Sequence, residues 1–295
     1  MKKDQSLESY FIGDFAPRFL RGRTDNTKRL YKISIRTFGK FLERSAMLSD
    51  LTDETVDRHL DWFHAKPRSA ATVNKERANL LAIWRFACRK GDLEKWPDVQ
   101  QLVEPDRVPS AWSMNQINSI LSCCSTLTGK IGDVAAADWW RTIHLVCWDT
   151  GERIGAVRDL QWSNVDFEGG HILVPAELRK GKRKDRLYRI AGDTLDSLKA
   201  IKGRGEMIFP WPYNRNYIWN RYTQLLKKAG LPTDRKSKFH RMRRSVASHC
   251  EAAGGNATEL LGHSNRGVTL AYLDPRIVPA VHAVDLLERP NKDGG

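Results

Sequence analysis

The chain has 295 residues, enough for two domains that each bury a core, and its 41% hydrophobic and 28% charged residues are those of a globular protein. A formal net charge of +14 favours a polyanionic partner, nucleic acid before an anionic membrane surface, and the excess is shared, net +5 over residues 1–110 and net +9 over 111–295. Cys88, Cys123, Cys124, Cys147 and Cys250 lack C-x-x-C spacing, the eight histidines lack paired ligand spacing, and there is neither a signal-peptide core nor a run near 18 apolar residues; disulfide frameworks, zinc sites and membrane spans are disfavoured, and the expected setting is inside the cell.

Residues 6–91 predict four helices. The second, near Thr27 to Arg44, sets Leu30, Ile33, Phe38, Phe41 and Leu42 on one stripe, with Thr24 or Asp25 as N-cap. The third runs from about Asp53 to His64 with Val56, Leu60 and Phe63 inward. The fourth begins near Ala70, carries Val73, Leu80, Leu81, Ile83, Trp84 and Phe86, and stops at Gly91. Such helices make a compact bundle, assigned to residues 1–96. Arg23, Lys28, Arg29, Lys75, Arg77, Arg85 and Arg89 would give it a positive face; each alone is what any solvated helix carries, and as a group they are candidate DNA contacts. Residues 97–110, with three prolines and no helical stripe, predict an extended or flexible linker.

Residues 111–295 form the second predicted domain. The apolar run Ile143 to Trp148 suits a core helix that ends at Thr150-Gly151, and a helix restarts at Glu152-Arg153 with Ile154, Val157 and Leu160 inward. Arg153, taken alone, reads as a salt-bridged arginine. The segments DFEGGHILVP and RLYRIAG alternate like strands and flank ELRKGKRKD, a hairpin whose tip holds Arg179, Lys180, Lys182, Arg183 and Lys184. Cations so crowded repel unless an anion sits among them, as a DNA backbone would. Helices come next at Leu195 to Ile201 and Tyr217 to Ala229.

The stretch from Phe239 to Pro275 carries the chemistry. His240 and Arg243 share a helix face, Gly254-Gly255 breaks that helix, Leu260-Leu261-Gly262-His263 closes a turn, and Tyr272 comes nine residues after His263. Cations, imidazoles and a phenol together can hold a phosphodiester and attack it.

In this order, the TGxR turn, basic hairpin, HxxR, LGH and late tyrosine resemble the tyrosine recombinase, or phage integrase, family over nearly the whole chain. The resemblance implies a mainly α fold with a small antiparallel β-sheet: an N-terminal four-helix SAM-like core-binding domain and a C-terminal α+β catalytic domain with a tail. It implies that Arg153 and Arg243 bind the non-bridging oxygens of the scissile phosphate, for which a fixed, permanently charged fork is suited. His240 and His263 would add hydrogen bonds and proton transfer. Lys180 would protonate the departing 5′ oxygen, with Lys182 the close alternative, and Tyr272 would form the 3′-phosphotyrosine. Lys182, Arg183 and Lys184 are further DNA contacts. No cofactor, metal or ATP is implied, because the covalent link conserves the energy of the broken bond. Site-specific recombination of double-stranded DNA would pass through a Holliday junction on a homo-tetramer, in the cytoplasm at the nucleoid. The tail Ile277–Arg289, with Ile277, Val278, Val281, Val284 and Leu287, would dock on a neighbouring subunit.

Three features depart from the family pattern. Ala156 stands where many members have an acid three residues after the arginine, the run from Arg243 to His263 is short by roughly one helical turn, and Leu273-Asp274 replaces the common Thr-His. A type IB topoisomerase, whose usual signature has lysine at the place of His240, and a catalytically idle DNA-binding regulator of a mobile element are the alternatives. An RNA-binding module lacks the aromatic strands that stack bases.

Overall fold

Serine and threonine caps set the helix starts of the first third. Ser6, Thr24, Thr52 and Ser69 each accept a hydrogen bond from the backbone N–H three residues on, which satisfies donors that a helix leaves unpaired at its first turn. They open α1 (Leu7–Tyr10), which continues through a π-helical turn, Phe11–Phe15, into α2 (Ala16–Phe19), then α3 (Asp25–Leu42), α4 (Asp53–His64) and α5 (Ala70–Arg89). The computed structural model describes residues 4–181, 184–279 and 287. The chain divides into two units, residues 1–106 and 107–295.

In the first unit the inward positions of α4 and α5 are those the periodicity predicts, Val56, Leu60 and Phe63, and Val73, Leu80, Leu81, Ile83, Trp84 and Phe86. The stripe of α3 is rotated from its expected place. Ile35 and Phe38 are buried together with Ser34, whereas Leu30 and Ile33 are 37% and 41% exposed. The cause is a buried polar knot: the Ser34 hydroxyl donates to Glu76 Oε2 at 2.6 Å and accepts from Asn79 at 2.9 Å, and Glu76 Oε1 lies 3.3 Å from His59 Nε2. A satisfied hydroxyl can occupy a core position that an apolar pattern does not show. In the stretch read as a linker, residues 97–104 form neither helix nor strand and are fastened to α5. Val99 is buried, Arg77 donates from Nε to the Val99 carbonyl at 2.8 Å, and Asn74 exchanges two hydrogen bonds with Leu102.

The second unit is built around a helix. After α6 (Met114–Ser125) and the short pair β1 (Lys130–Ile131) and β2 (Val134–Ala135), α7 (Ala136–Thr150) buries Trp139, Trp140, Ile143, Val146 and Cys147. Then come α8 (Ile154–Arg158), the three antiparallel strands β3 (Val165–Asp166), β4 (His171–Val174) and β5 (Arg186–Arg189), α9 (Gly192–Ala200), α10 (Tyr217–Lys228), α11 (Phe239–Ala252), α12 (Ala257–Leu261) and α13 (Arg266–Leu270). Register pairs Ile172 with Tyr188 and Val174 with Arg186; Ile172, Val174 and Tyr188 face the core, and Leu173 and Leu187 stand outward. The five cysteines are free thiols, and no described helix is long and apolar enough to cross a membrane.

Two devices aim this unit's functional segments. The ring of Phe239 lies 4.2 Å from that of Tyr222 and stacks with Trp140 behind it, so an aromatic column fixes the first residue of α11. Gly151 ends α7 with φ +59; a Cβ there would stand 3.0 Å from Leu261 and 3.2 Å from Val246, so only glycine lets this turn pass against α11 and α12.

Candidate active site

Arg243 is the hub. It sits on α11 with 1% exposure, a position that a cation tolerates only with its donors engaged. Nη1 donates to the Gly151 carbonyl at 2.5 Å, Nη2 to the Leu261 carbonyl at 3.0 Å, and Nη2 also faces His263 Nε2 at 3.4 Å. Its Nε–H has no partner among the described residues. Burial first, and the neighbouring Arg153 second, lower its pKa, while Glu152, 3.7 Å from Nη1, acts in the opposite direction.

An arginine only donates, so the contact with Arg243 makes His263 Nε2 an acceptor and leaves the ring proton on Nδ1, 3.0 Å from the hydroxyl of buried Thr269. The same neighbourhood holds the His263 pKa down to about 4, through desolvation and then Arg243 and Arg153. Gly262, just before it, has φ +66 and lies against the guanidinium ends of Arg179 and Arg186. His240, on the first turn of α11, is also lowered to about 4. Crowding of its ring leads, with Arg244, Arg243, Arg153 and His263 adding to it, although the residue keeps an exposed edge.

Tyr272 lies among these groups. Its ring centroid is 5.2 Å from that of His240 and 4.8 Å from that of His263, and Arg243 Cζ stands 5.8 Å from it. The segment is clamped from behind: the Tyr272 N–H donates to Thr269, Ser248 donates to the Tyr272 carbonyl and accepts from the Asp274 N–H, and Asp274 accepts from the Ala111 N–H at 2.8 Å. Leu273 packs with Ala247, Ala257 and Leu261.

The structure therefore brings Arg243, His240, His263 and Tyr272 together, with half-buried Arg153, at the N-cap of α8, near enough to depress the first three. Lys180 is not in that contact set; it is exposed in the hairpin loop, one residue past Arg179. Lys184 is exposed too, and Lys182 and Arg183 lie outside the described residues. Arg179 corrects the picture of a tip of mutually repelling cations, because its Nε donates to Glu152 Oε1 at 2.5 Å. In the first unit Arg23, Arg29, Lys75 and Arg89 are exposed, whereas Lys28, 3.5 Å from Asp25, and Arg85 are half-buried. Arg77 is half-buried and donates from Nε and Nη2 to the Val99 carbonyl. Of the tail, Ile277 and Val278 turn back on Asp274, Val278 packs against the cluster of Ala247, Ala257, Leu261 and Leu273 as Tyr272 does, and most residues beyond Pro279 lie outside the described residues.

Glu152, Tyr188 and Thr269 make contacts with or beside this cluster that the sequence pattern does not single out. The available signal was a carboxylate directly beside the TGxR arginine, in a turn that buries what it carries.

The family model described as the phage integrase family matches residues 112–277, more than half of the chain, and spans every residue of this cluster. The chain belongs to the phage integrase family. This integrase-family chain is 25% identical over 301 residues to the tyrosine recombinase XerA of Pyrococcus furiosus, covering 98% of itself and 96% of that protein. Its fold is similar to that of the Tn1549 transposon integrase in complex with a circular intermediate DNA, with TM-score 0.73, 17% identity, and 92% and 95% of the two chains covered. It is also similar to lambda integrase, solved as a tetramer bound to a Holliday junction, with TM-score 0.69, 20% identity, and coverage of 92% and 78%.

Proposed function

We propose that this integrase-family chain is a site-specific DNA recombinase that cuts and rejoins strands through Tyr272. The observation that carries the reading is the convergence on one phenol of two imidazoles and a buried arginine with an unspent Nε–H. The Tyr272 oxygen attacks phosphorus, the 5′ oxygen leaves, and a 3′-phosphotyrosine remains. Arg153 and Arg243 carry the charge on the non-bridging oxygens of the pentacoordinate transition state. His263, acceptor at Nε2 in the free protein, and His240 supply hydrogen bonds, and one of them takes the phenol proton; their lowered pKa values keep both unprotonated, with a ring nitrogen free to accept, at working pH. Lys180, or Lys182, gives a proton to the leaving oxygen when the hairpin meets DNA. Attack by the 5′ hydroxyl of a partner strand reverses the step without an energy source. Strand exchange proceeds through a Holliday junction on a homo-tetramer, with the basic hairpin and the exposed cations of the first unit on double-stranded DNA in the cytoplasm, and with the tail on a neighbouring subunit. The names and DNA complexes of the similar proteins support this assembly.

Nicked suicide duplexes tiled across the DNA that flanks the coding region test the chemistry. A covalent protein–DNA adduct is expected with the native chain and none with Tyr272→Phe, at equal DNA binding. An equal adduct with the phenylalanine variant, or none with either, would sink the reading.

A further inference from the structure

Glu152 is a carboxylate with a fully buried side chain, in direct contact with three of the elements that carry the reacting groups. Its Oε1 accepts from Arg179 Nε at 2.5 Å and from the Tyr188 hydroxyl at 2.8 Å, both on the lysine-bearing hairpin. Its Oε2 accepts from the backbone N–H of Arg153 at 3.2 Å and faces Arg243 Nη1 at 3.7 Å. Burial first and Glu152 second raise the Tyr188 pKa, so that phenol stays protonated and can donate. Tyr188 also reaches the Leu260 carbonyl, and Arg186 donates to Glu259, so the hairpin leans on the turn that presents His263. Ala156, buried three residues after Arg153, offers no carboxylate.

We infer that Glu152 is a positioning residue that couples the hairpin carrying Lys180 to the Arg153–Arg243 pair, which rests on the chemistry proposed above. A buried carboxylate shared by two guanidiniums is stable only while both stay in place, so it fixes each with respect to the other. Arg179 precedes Lys180 directly; whatever holds the Arg179 guanidinium sets where the next residue leaves the hairpin.

Glu152→Gln separates this role from a plain structural one. The amide keeps the volume but turns one acceptor into a donor, which must meet either Arg179 Nε–H or the Arg153 N–H and Arg243 Nη1; none of these can accept, so the amide is left with the Tyr188 hydroxyl at best and one guanidinium loses its carboxylate. Cleavage is measured on a normal suicide duplex and on the same duplex with sulfur replacing the 5′ bridging oxygen, a leaving group that needs no acid. With DNA affinity held within about twofold, Glu152→Gln should slow normal cleavage by about ten- to hundredfold, as expected for loss of charge-assisted hydrogen bonds. On the sulfur substrate it should recover to within about threefold of the native chain, because the misplaced lysine is no longer needed. Equal slowing on both substrates, no slowing on either, or a loss of DNA affinity that accounts for the whole defect would each overturn the coupling. Arg179→Lys keeps the charge and loses the Nε contact; it should give the same substrate ratio, and it decides alone if Glu152→Gln does not fold. A native chain that cleaves neither substrate would refute the recombinase reading and the coupling with it, whereas a native chain that cleaves both substrates with Glu152→Gln showing no difference between them refutes the coupling alone.

Discussion

Gly262→Ala, set beside Gly254→Ala, isolates the effect of crowding the site from the effect of backbone strain. Both glycines have positive φ, +66 and +80, so alanine at either costs about 1–2 kcal/mol for the left-handed conformation. At Gly254 the added Cβ meets nothing within 4 Å, whereas at Gly262 it would stand 2.7 Å from Arg179 Nη2 and 3.0 Å from Arg186 Nη2. Those guanidiniums are held by Glu152 and the Lys184 carbonyl on one side and by the Glu259 carbonyl on the other, so they move only by weakening these bonds. One charge-assisted hydrogen bond lost is about 1.5–3 kcal/mol. At roughly 2–4 °C per kcal/mol for a unit of this size, Gly254→Ala should lower the melt by the strain alone and Gly262→Ala by roughly 3–12 °C more. Adduct formation on a nicked duplex should diverge, with Gly254→Ala near native and Gly262→Ala slower by about tenfold or more. Equal adduct rates for the two variants would refute the packing of the His263 turn against the hairpin arginines.

Buried His144 and half-buried His263 give a pH dependence of stability. His144 and His263 have folded pKa values near 4, against about 6.5 when unfolded, so the folded chain binds protons later than the unfolded one. The stabilisation is complete above pH 6.5 and is lost as pH falls from 6.5 toward 4; the urea midpoint should drop between pH 6.5 and 5, less so in His144→Phe, and a flat profile would contradict this. In the first unit, Arg77→Ala should lower thermal stability without changing the salt dependence of DNA binding, while Lys75→Ala should leave the melt unchanged and reduce the slope of log K against log salt by about 1. The opposite pattern would put Arg77 on the DNA. Asp274→Ala removes the acceptor for Ala111 and Arg276 and should slow adduct formation more than it weakens DNA binding; an unchanged single-turnover rate would show that the clamp behind Tyr272 is idle.

How much of the fold is legible in the sequence depends on how local each interaction is. Helix starts were legible because Thr24, Thr52 and Ser69 cap donors only three residues away, and α4 and α5 because one apolar stripe suffices to seat them. The face of α3 was not legible: Ser34 is buried through partners on α5, 42 and 45 residues on, and no periodicity records such a match. Arg243, His240, His263 and Tyr272 could be picked out because a short stretch carries them all. Glu152 could not, since its meaning lies with Arg179, 27 residues on, and Tyr188, 36 residues on. Arg77 looked free for the same reason; its partner is a main-chain carbonyl in a segment without any pattern.

The bond from the Ala111 N–H to Asp274 spans 163 residues, and it has company: Arg241 donates to the Ala111 carbonyl, Ser245 accepts from the Trp112 N–H, and Arg276 reaches the Pro109 carbonyl. The beginning of the second unit is thus stitched to the strip of chain that carries the nucleophile. A protease nick or a truncation that removed residues 107–112 would leave every reacting group in the polypeptide and yet loosen the one that must move least. Competence to cut DNA is in this sense a property of the closed chain, withheld from a damaged copy that still bears the whole signature.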